Sequence, residues 1–299
     1  CKFNGFFSMD FKECLNIFQL IECIFIEKVF IKGYFQDNIY FNNSHFKDSA
    51  DFSKCEFEKT ACFYGVKFDK VPNFSQVQFK GSLNAVNANL NFDFESLENK
   101  IKQEHTKYNK KENANKPLAH FANDFRDSFR IFKSTLIKDN NLLDASNFHK
   151  YELYSKEIEL DSKETKTIKD KVEKWQLWFY RKLCDHHTDL VLNLKWLVYT
   201  IALYVLLLGK IPYVYPVAIF VFCVYVYMCS FKNIWLVVSS AIVFITILDT
   251  PKIILGISNL FGENLNLWQN FITTLYVIAI GLVLFSLQKT ARKNSIVPN

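Results

Sequence analysis

Phenylalanine recurs along the first ninety residues with a period that suits neither a helix nor a flat strand. It stands at 25, 30, 35, 41, 46, 52, 57, 63, 68, 74 and 79, in steps of five and six. At about 100° per residue such steps scatter the rings around a helix instead of forming a stripe. In an extended strand a step of five flips the face. A chain that turns a corner every five or six residues keeps every ring inside. Two residues before most of these rings stands a smaller side chain: Cys23, Gly33, Ile39, Ser44, Ala50, Cys55, Ala61, Val66 and Val77. From Ile39 the chain aligns in elevens, IYFNNSHFKDS, ADFSKCEFEKT, ACFYGVKFDKV and PNFSQVQFKGS, with a degenerate fifth unit, LNAVNANLNFD, ending at Asp93. Such self-similarity predicts a solenoid. Its core is expected to hold Phe46, Phe52, Phe57, Phe63, Phe68, Phe74 and Phe79.

This stretch resembles the pentapeptide-repeat family, in the variant with Phe at the central position and alternating five- and six-residue spacing. The resemblance covers roughly residues 20–92. It implies a right-handed quadrilateral β-helix with about four repeats per coil. The six-residue steps imply bulged corners, and Pro72 occupies a small-residue slot. Residues 1–19 keep only fragments such as Phe6 and Phe11, so the N-terminal coil is expected to be incomplete. Family members that mimic DNA need a strongly acidic surface. The outward positions here are mixed (Lys54, Glu56, Glu58, Lys67, Asp69, Lys70), which disfavours that role.

Beyond Asp93 the pattern changes to a helical one. Residues 94–189 contain 19 Lys/Arg, 17 Asp/Glu, no Gly and one Pro, a charge-dense helical composition broken at Asn113–Pro117. Phe121, Phe125, Phe129, Phe132 and Leu136 step by four, four, three and four, an amphipathic face. Asp139–Asn141 reads as a turn. A second helix follows, toward Leu183 with a break near Asp161, and the two make an antiparallel hairpin or stalk. Arg126, Phe129, Arg130 and Lys133 before the turn, with Ala145, Phe148 and Glu152 after it, resemble the hairpin that pentapeptide-repeat membrane proteins carry between repeats and membrane. Antiparallel return brings Glu152 near Arg126 or Arg130, which makes these three candidates for a structural ion pair. The functional alternative is an anion or catalytic site of Arg126, Arg130, His149 and Glu152. The adjacent His186 and His187 do not share a helix face and read as interfacial. In IKDKVEKWQLWFYRKL, residues 168–183, aromatic and basic residues precede an apolar run, the signature of a membrane-surface helix.

From Leu190 the chain turns apolar. Stretches at about 190–208, 211–229, 231–248 and 267–287 each approach the ~20 residues of a spanning helix, so four spans are expected. PKIILGISNLF, residues 251–261, is too short to span and reads as interfacial. Lys/Arg count decides orientation. Lys169, Lys171, Lys174, Arg181 and Lys182 precede the first span, and Lys289, Arg292 and Lys293 follow the last; only Lys210 and Lys252 stand in the loops between. Both ends are therefore expected in the cytoplasm. Trp196, Trp235 and Trp268 sit near span ends, as an aromatic belt predicts.

Composition narrows the reading. Half of the 299 residues are hydrophobic and the mean hydropathy is +0.01, which excludes wholesale disorder. A net charge of +6 is too mild to argue for nucleic acid. Only four of the 36 basic residues are Arg, a bias that fits an AT-rich bacterial genome. The eight Cys show no CxxC spacing and read as small buried side chains, so neither metal nor cofactor is expected. A start at Cys1, without Met or signal pattern, reads as a truncation, with a processed lipoprotein as the alternative. The expected fold is thus a β-helix (1–93), a charged helical hairpin with a membrane-surface helix (94–189) and a transmembrane bundle (190–299). The expected function is a non-enzymatic, multi-pass protein of the bacterial inner membrane whose cytoplasmic β-helix is a protein-binding scaffold. Its partners would be the bilayer and another protein, with a homo-oligomer possible. The competing class is a small channel or transporter regulated through the β-helix.

Overall fold

A computed structural model of the chain describes residues 1–90, 92–112, 115–208, 234–249 and 266–292. These fall into two compact units, 1–180 and 181–292.

The first unit begins with a parallel β-solenoid. Its strands, mostly of two residues, stack into four sheets, the longest with five strands. Each coil takes 21 or 22 residues, so that Phe3 lies beside Phe25, Phe25 beside Phe46, and Phe46 beside Phe68. Like therefore stacks on like. Phe25, Phe46 and Phe68 are parallel at ring separations of 4.8 and 5.0 Å, and Phe52 stacks on Phe74 at 4.9 Å. Adjacent columns meet edge-on, as Phe52 does with Phe63 at 87°, the arrangement the ring quadrupole favours. Each buried ring contributes ~1.5–3 kcal/mol by leaving water. The smaller slots are filled by buried Ser44, Ala50, Cys55, Ala61 and Val66. Of the seven expected core rings, Phe46, Phe52, Phe57, Phe63, Phe68 and Phe74 are buried and Phe79, in the last coil, is half-buried.

Three details differ from the sequence reading. Phe30 is not a core ring: in register with Asp51 it points out of the tube and is half-buried, and the fully buried Ile31 fills the tube at that level. The four-residue strand Val29–Lys32 alternates sides, so two inward aliphatics displace the ring between them outward. The N-terminal coil is present rather than fragmentary. Phe7–Asp10 pairs with Val29–Lys32, and Phe18 pairs with Ile39, placing Phe7 rather than Phe6 against the core. Finally, the left-handed residues lie in the five-residue steps. Asn43, Lys54, Gly65, Gln76 and Asn87 have φ of 55°, 63°, 64°, 58° and 58°. Each is the third residue of a tight turn closed by a bond such as Ser44 N to Phe41 O at 3.1 Å, the geometry of a type II turn.

The helices of this unit close the tube. α1 (Phe94–Glu112) is followed by α2 (Leu118–Lys138) and α3 (Leu142–Ser162), an antiparallel hairpin. The hairpin is a cap, not a stalk. Phe132 inserts over the last coil, 4.9 Å from Phe74 and 5.8 Å from Phe79, and Phe148 stacks on Phe132 at 5.1 Å. Ser128 Oγ donates to Phe74 O at 2.7 Å, Asp144 accepts from Asn87 N at 2.9 Å, and the Tyr151 hydroxyl donates to Leu90 O. The physical reason is the end of the solenoid itself, which presents stacked rings and unpaired backbone groups to water unless something covers them. α4 (Ile168–Cys184) opens with a reciprocal Thr167–Asp170 cap, Thr167 N donating to Asp170 at 2.9 Å and Asp170 N to Thr167 Oγ1 at 3.1 Å.

The second unit contains the end of α4 and three apolar helices, α5 (Leu190–Leu208), α6 (Ile234–Asp249) and α7 (Leu267–Ala291). α5 and α7 are long and apolar enough to cross a membrane; α6 is shorter. α5 packs on α7 through Tyr204 and Tyr276, whose rings stack at 3.8 Å, and through Ile201, Val205 and Ile272. The expected span at 211–229, the interfacial stretch 251–261, Lys210, Lys252, Lys293, Cys223 and Cys229 lie outside the described residues.

Candidate functional site

The charged side chains singled out by sequence converge on the cap. α2 places Arg126, Arg130 and Lys133 on the face toward α3, and α3 answers with His149, Glu152 and Glu159. Glu152 is the centre of one cluster. Arg130 Nε lies 3.2 Å and Lys133 Nζ 2.7 Å from its carboxylate, with His149 Nδ1 at 3.5 Å. Burial alone pushes this carboxyl up. The His149 and Lys133 hydrogen bonds and the Lys133 charge outweigh it and bring the pKa down to about 2. Arg126 does not reach Glu152; it donates to Glu159 and to Asn123. The hairpin thus carries two ion-pair levels, Lys133–Glu152 and Arg126–Glu159, seven residues apart on each helix. Glu159 and the central role of Lys133 escaped sequence reasoning, although that matched seven-residue spacing carried the signal. Chemically the layer is a set of matched charges. An ionised carboxylate already held by three donors is a weak base and has no proton to give near neutral pH.

A second polar cluster lies in the apolar unit. Asn193 is fully buried, and its Nδ2 donates to Ser286 Oγ at 2.9 Å and to Thr290 Oγ1 at 3.4 Å. His187 Nδ1 lies 3.3 Å from Thr290 Oγ1 and 3.4 Å from Cys184 Sγ. The chain reaches this cluster through three successive left-handed residues, Asp185, His186 and His187, with φ of 49°, 54° and 68°. Non-glycine residues pay for that conformation. It carries both histidines inward, and both are buried within the protein. Burial raises the Cys184 thiol, which keeps it protonated. Among the described residues no group of three His, Cys, Asp or Glu is placed to hold a metal ion.

A groove of about 850 Å³ runs between α1 and the outer surface of the solenoid, beside Phe6 and Phe30. Its charges are largely paired, Lys70 with Asp48 at 2.8 Å and Lys100 with Glu104 at 2.9 Å. No family model matches the chain, and no curated protein or solved structure matches it significantly.

Proposed function

We propose that this is a non-enzymatic, multi-pass protein of the bacterial inner membrane that displays a right-handed, four-sided β-helix of pentapeptide-repeat type in the cytoplasm as a protein-binding scaffold. Four spans and a cytoplasmic position for both chain ends complete the reading. The observation that carries it is the outer surface of the solenoid. Parallel register sets Tyr34 beside Glu56 and Glu56 beside Gln78 in successive coils, and the side chains just beyond them, Glu58 and Lys80, join across the coils. Tyr34 OH donates to Glu58 at 3.1 Å, and Lys80 Nζ lies 3.0 Å from the same carboxylate. A flat, rigid ladder of aromatic and charged groups binds a complementary protein with little ordering cost. The helices beyond residue 190 supply the membrane anchor.

The test is cross-linking in membranes from the intact chain. A partner captured by the wild type is expected to be lost from Glu56→Lys/Glu58→Lys and kept by Lys67→Glu, whose strand belongs to a different sheet. Equal capture by both variants refutes the surface. Reporter fusions at Glu112 and Lys293 should score cytoplasmic, and fusions at Lys210 and Glu263 periplasmic. The Asn193–Ser286–Thr290–His187 cluster favours a second reading, a small channel or transporter regulated through the β-helix. Ion flux through vesicles reconstituted with the purified chain, lost in Asn193→Ala, would put that reading first.

A further inference from the structure

α4 is amphipathic, and its two faces have different fates. At about 100° per residue, Ile168, Val172, Trp175 and Phe179 fall on one stripe, with Trp178 at its margin. Ile168, Val172, Trp175 and Trp178 are all exposed, Ile168 by 82% and Trp175 by 61%. The opposite face is held by the chain before it. Asp170 pairs with Lys163 at 2.8 Å, and Lys174 pairs with Asp161. The apolar stripe is therefore turned away from the ion pairs that fasten the helix.

The last turn of α4, from Arg181, belongs to the apolar unit. Trp196 Nε1, in the second turn of α5, donates to Lys182 O at 2.8 Å. This places the last turn of α4 level with the first turns of a helix apolar enough to span a bilayer. An exposed stripe of Trp and aliphatic side chains, leading along the chain into such a helix, has the composition that suits the boundary between headgroups and acyl chains. Lys169, Lys171 and Lys182 are exposed and form no ion pair among the described residues. Lys171 and Lys182 fall on one margin of the stripe and Lys169 on the other, where ammonium groups reach headgroup phosphates while their stems lie along the apolar surface.

We infer that α4 lies in the membrane interface and selects anionic phospholipids, its aromatic stripe entering the acyl boundary and Lys169, Lys171 and Lys182 contacting the headgroups. This rests on the membrane reading above. Basic residues near an anionic leaflet gain from its surface potential, and the gain decays within a Debye length.

The experiment uses the full chain reconstituted in phosphatidylcholine vesicles carrying a minority of brominated lipid, either phosphatidylglycerol or phosphatidylcholine. The quenching that belongs to α4 is the difference between wild type and Trp175→Phe/Trp178→Phe. Brominated phosphatidylglycerol is expected to quench that fraction roughly threefold or more better than brominated phosphatidylcholine, with the preference falling as salt is raised. Lys169→Glu/Lys171→Glu/Lys182→Glu should bring the ratio to about one. A ratio of about one in the wild type overturns the inference, and this arm needs no variant to fold. Quenching by neither lipid in a chain that resists carbonate extraction also overturns it, and means that a protein surface or second copy covers the stripe. Release of the chain by carbonate is a different failure, that of the membrane reading itself.

Discussion

The two units of this chain use apolar side chains in opposite directions. In the solenoid Phe41, Phe46, Phe52 and Phe63 are fully buried, and the outer surface carries Lys, Glu and Asp. In the helical unit Leu203, Leu206 and Phe285 are more than half exposed, while Asn193, Ser286 and Thr290 are inside. The same residue type therefore means different things. In the first unit the period of Phe marks an interior that water must not reach. In the second an unbroken apolar run marks an exterior suited to lipid, and the polar groups mark where helices meet.

The largest effect that could break this contrast is loss of a tube ring. Phe63 touches Phe41, Phe52, Phe74 and, from the cap, Phe132. Phe63→Ala is expected to cost about 3–5 kcal/mol, since the stacked neighbours cannot collapse into the space. Leu206→Ala, on an outward position of α5, should change stability by less than about 0.5 kcal/mol, as should Lys67→Ala on the solenoid surface. Thermal and denaturant unfolding of the detergent-solubilised chain measures all three. Comparable losses for Phe63 and Leu206 would end the inside–outside distinction.

The next effect belongs to the cap, where charge rather than apolar area joins two helices. The folded pKa of Glu152, about 2, lies below its ordinary value of 4.5. Its contribution to stability is therefore complete above about 4.5 and is lost as pH falls from there to about 2. Glu152→Gln should remove on the order of 2–3 kcal/mol at neutral pH and flatten the acid limb of stability in that window. Urea midpoints of a residues 1–180 fragment between pH 2 and 5 follow this directly. An unchanged acid limb would show that the layer adds nothing to the cap. A double-mutant cycle should find stronger coupling of Glu152 to Lys133, at 2.7 Å and half-buried, than to the exposed Arg130.

The helical unit offers a smaller test of the same contrast. Asn193→Ala removes the bridge to Ser286 and Thr290, and side-chain hydrogen bonds between helices in apolar surroundings contribute about 0.5–1.7 kcal/mol. Thermal denaturation in detergent should show a loss in that range. No loss would mean that the contacts around Tyr204 and Tyr276, and not this bridge, hold α5 to α7.

What was legible follows from how each feature is encoded. The tube could be read because a large ring must recur wherever the chain turns inward, and the five-and-six spacing survives substitution of every other position. It failed at Phe30, because Ile31 fills the same space one residue later and composition cannot say which of two adjacent apolar side chains faces in. It failed again in residues 1–19, where Phe3, Phe7 and Phe18 keep the coil-to-coil register without the short spacing. The hairpin was legible from its helical period. Its role as a cap was not, because nothing local to Phe132 or Phe148 says that an open solenoid end lies across from them. The Arg130–Glu152 pair followed from antiparallel geometry, whereas Arg126–Glu159 needed the helix register to within a turn. The buried His187–Thr290 contact joins residues 103 apart through a left-handed turn that no propensity foretells.

The smallest expected effect concerns the corners and runs in the stabilising direction. Gly65 occupies its turn at φ of 64° without penalty, whereas Lys54 holds φ of 63° one turn earlier with a Cβ in place. The Lys54 side chain is exposed and enters no ion pair among the described residues, so its removal costs no contact. The backbone bond from its N to Ser75 O, at 3.0 Å, remains in any variant. Lys54→Gly therefore relieves the left-handed strain of about 1 kcal/mol and gives part of it back through the greater freedom of glycine when unfolded. A net gain of about 0.5 kcal/mol is expected, read as a higher denaturation midpoint of the residues 1–180 fragment. Lys67→Gly, on an extended strand position, should lose about as much. Opposite signs at two exposed lysines of one sheet-built tube would show that the corners, and not the outward side chains, carry the strain. Losses at both positions would mean that Lys54 contributes a contact worth more than its backbone strain.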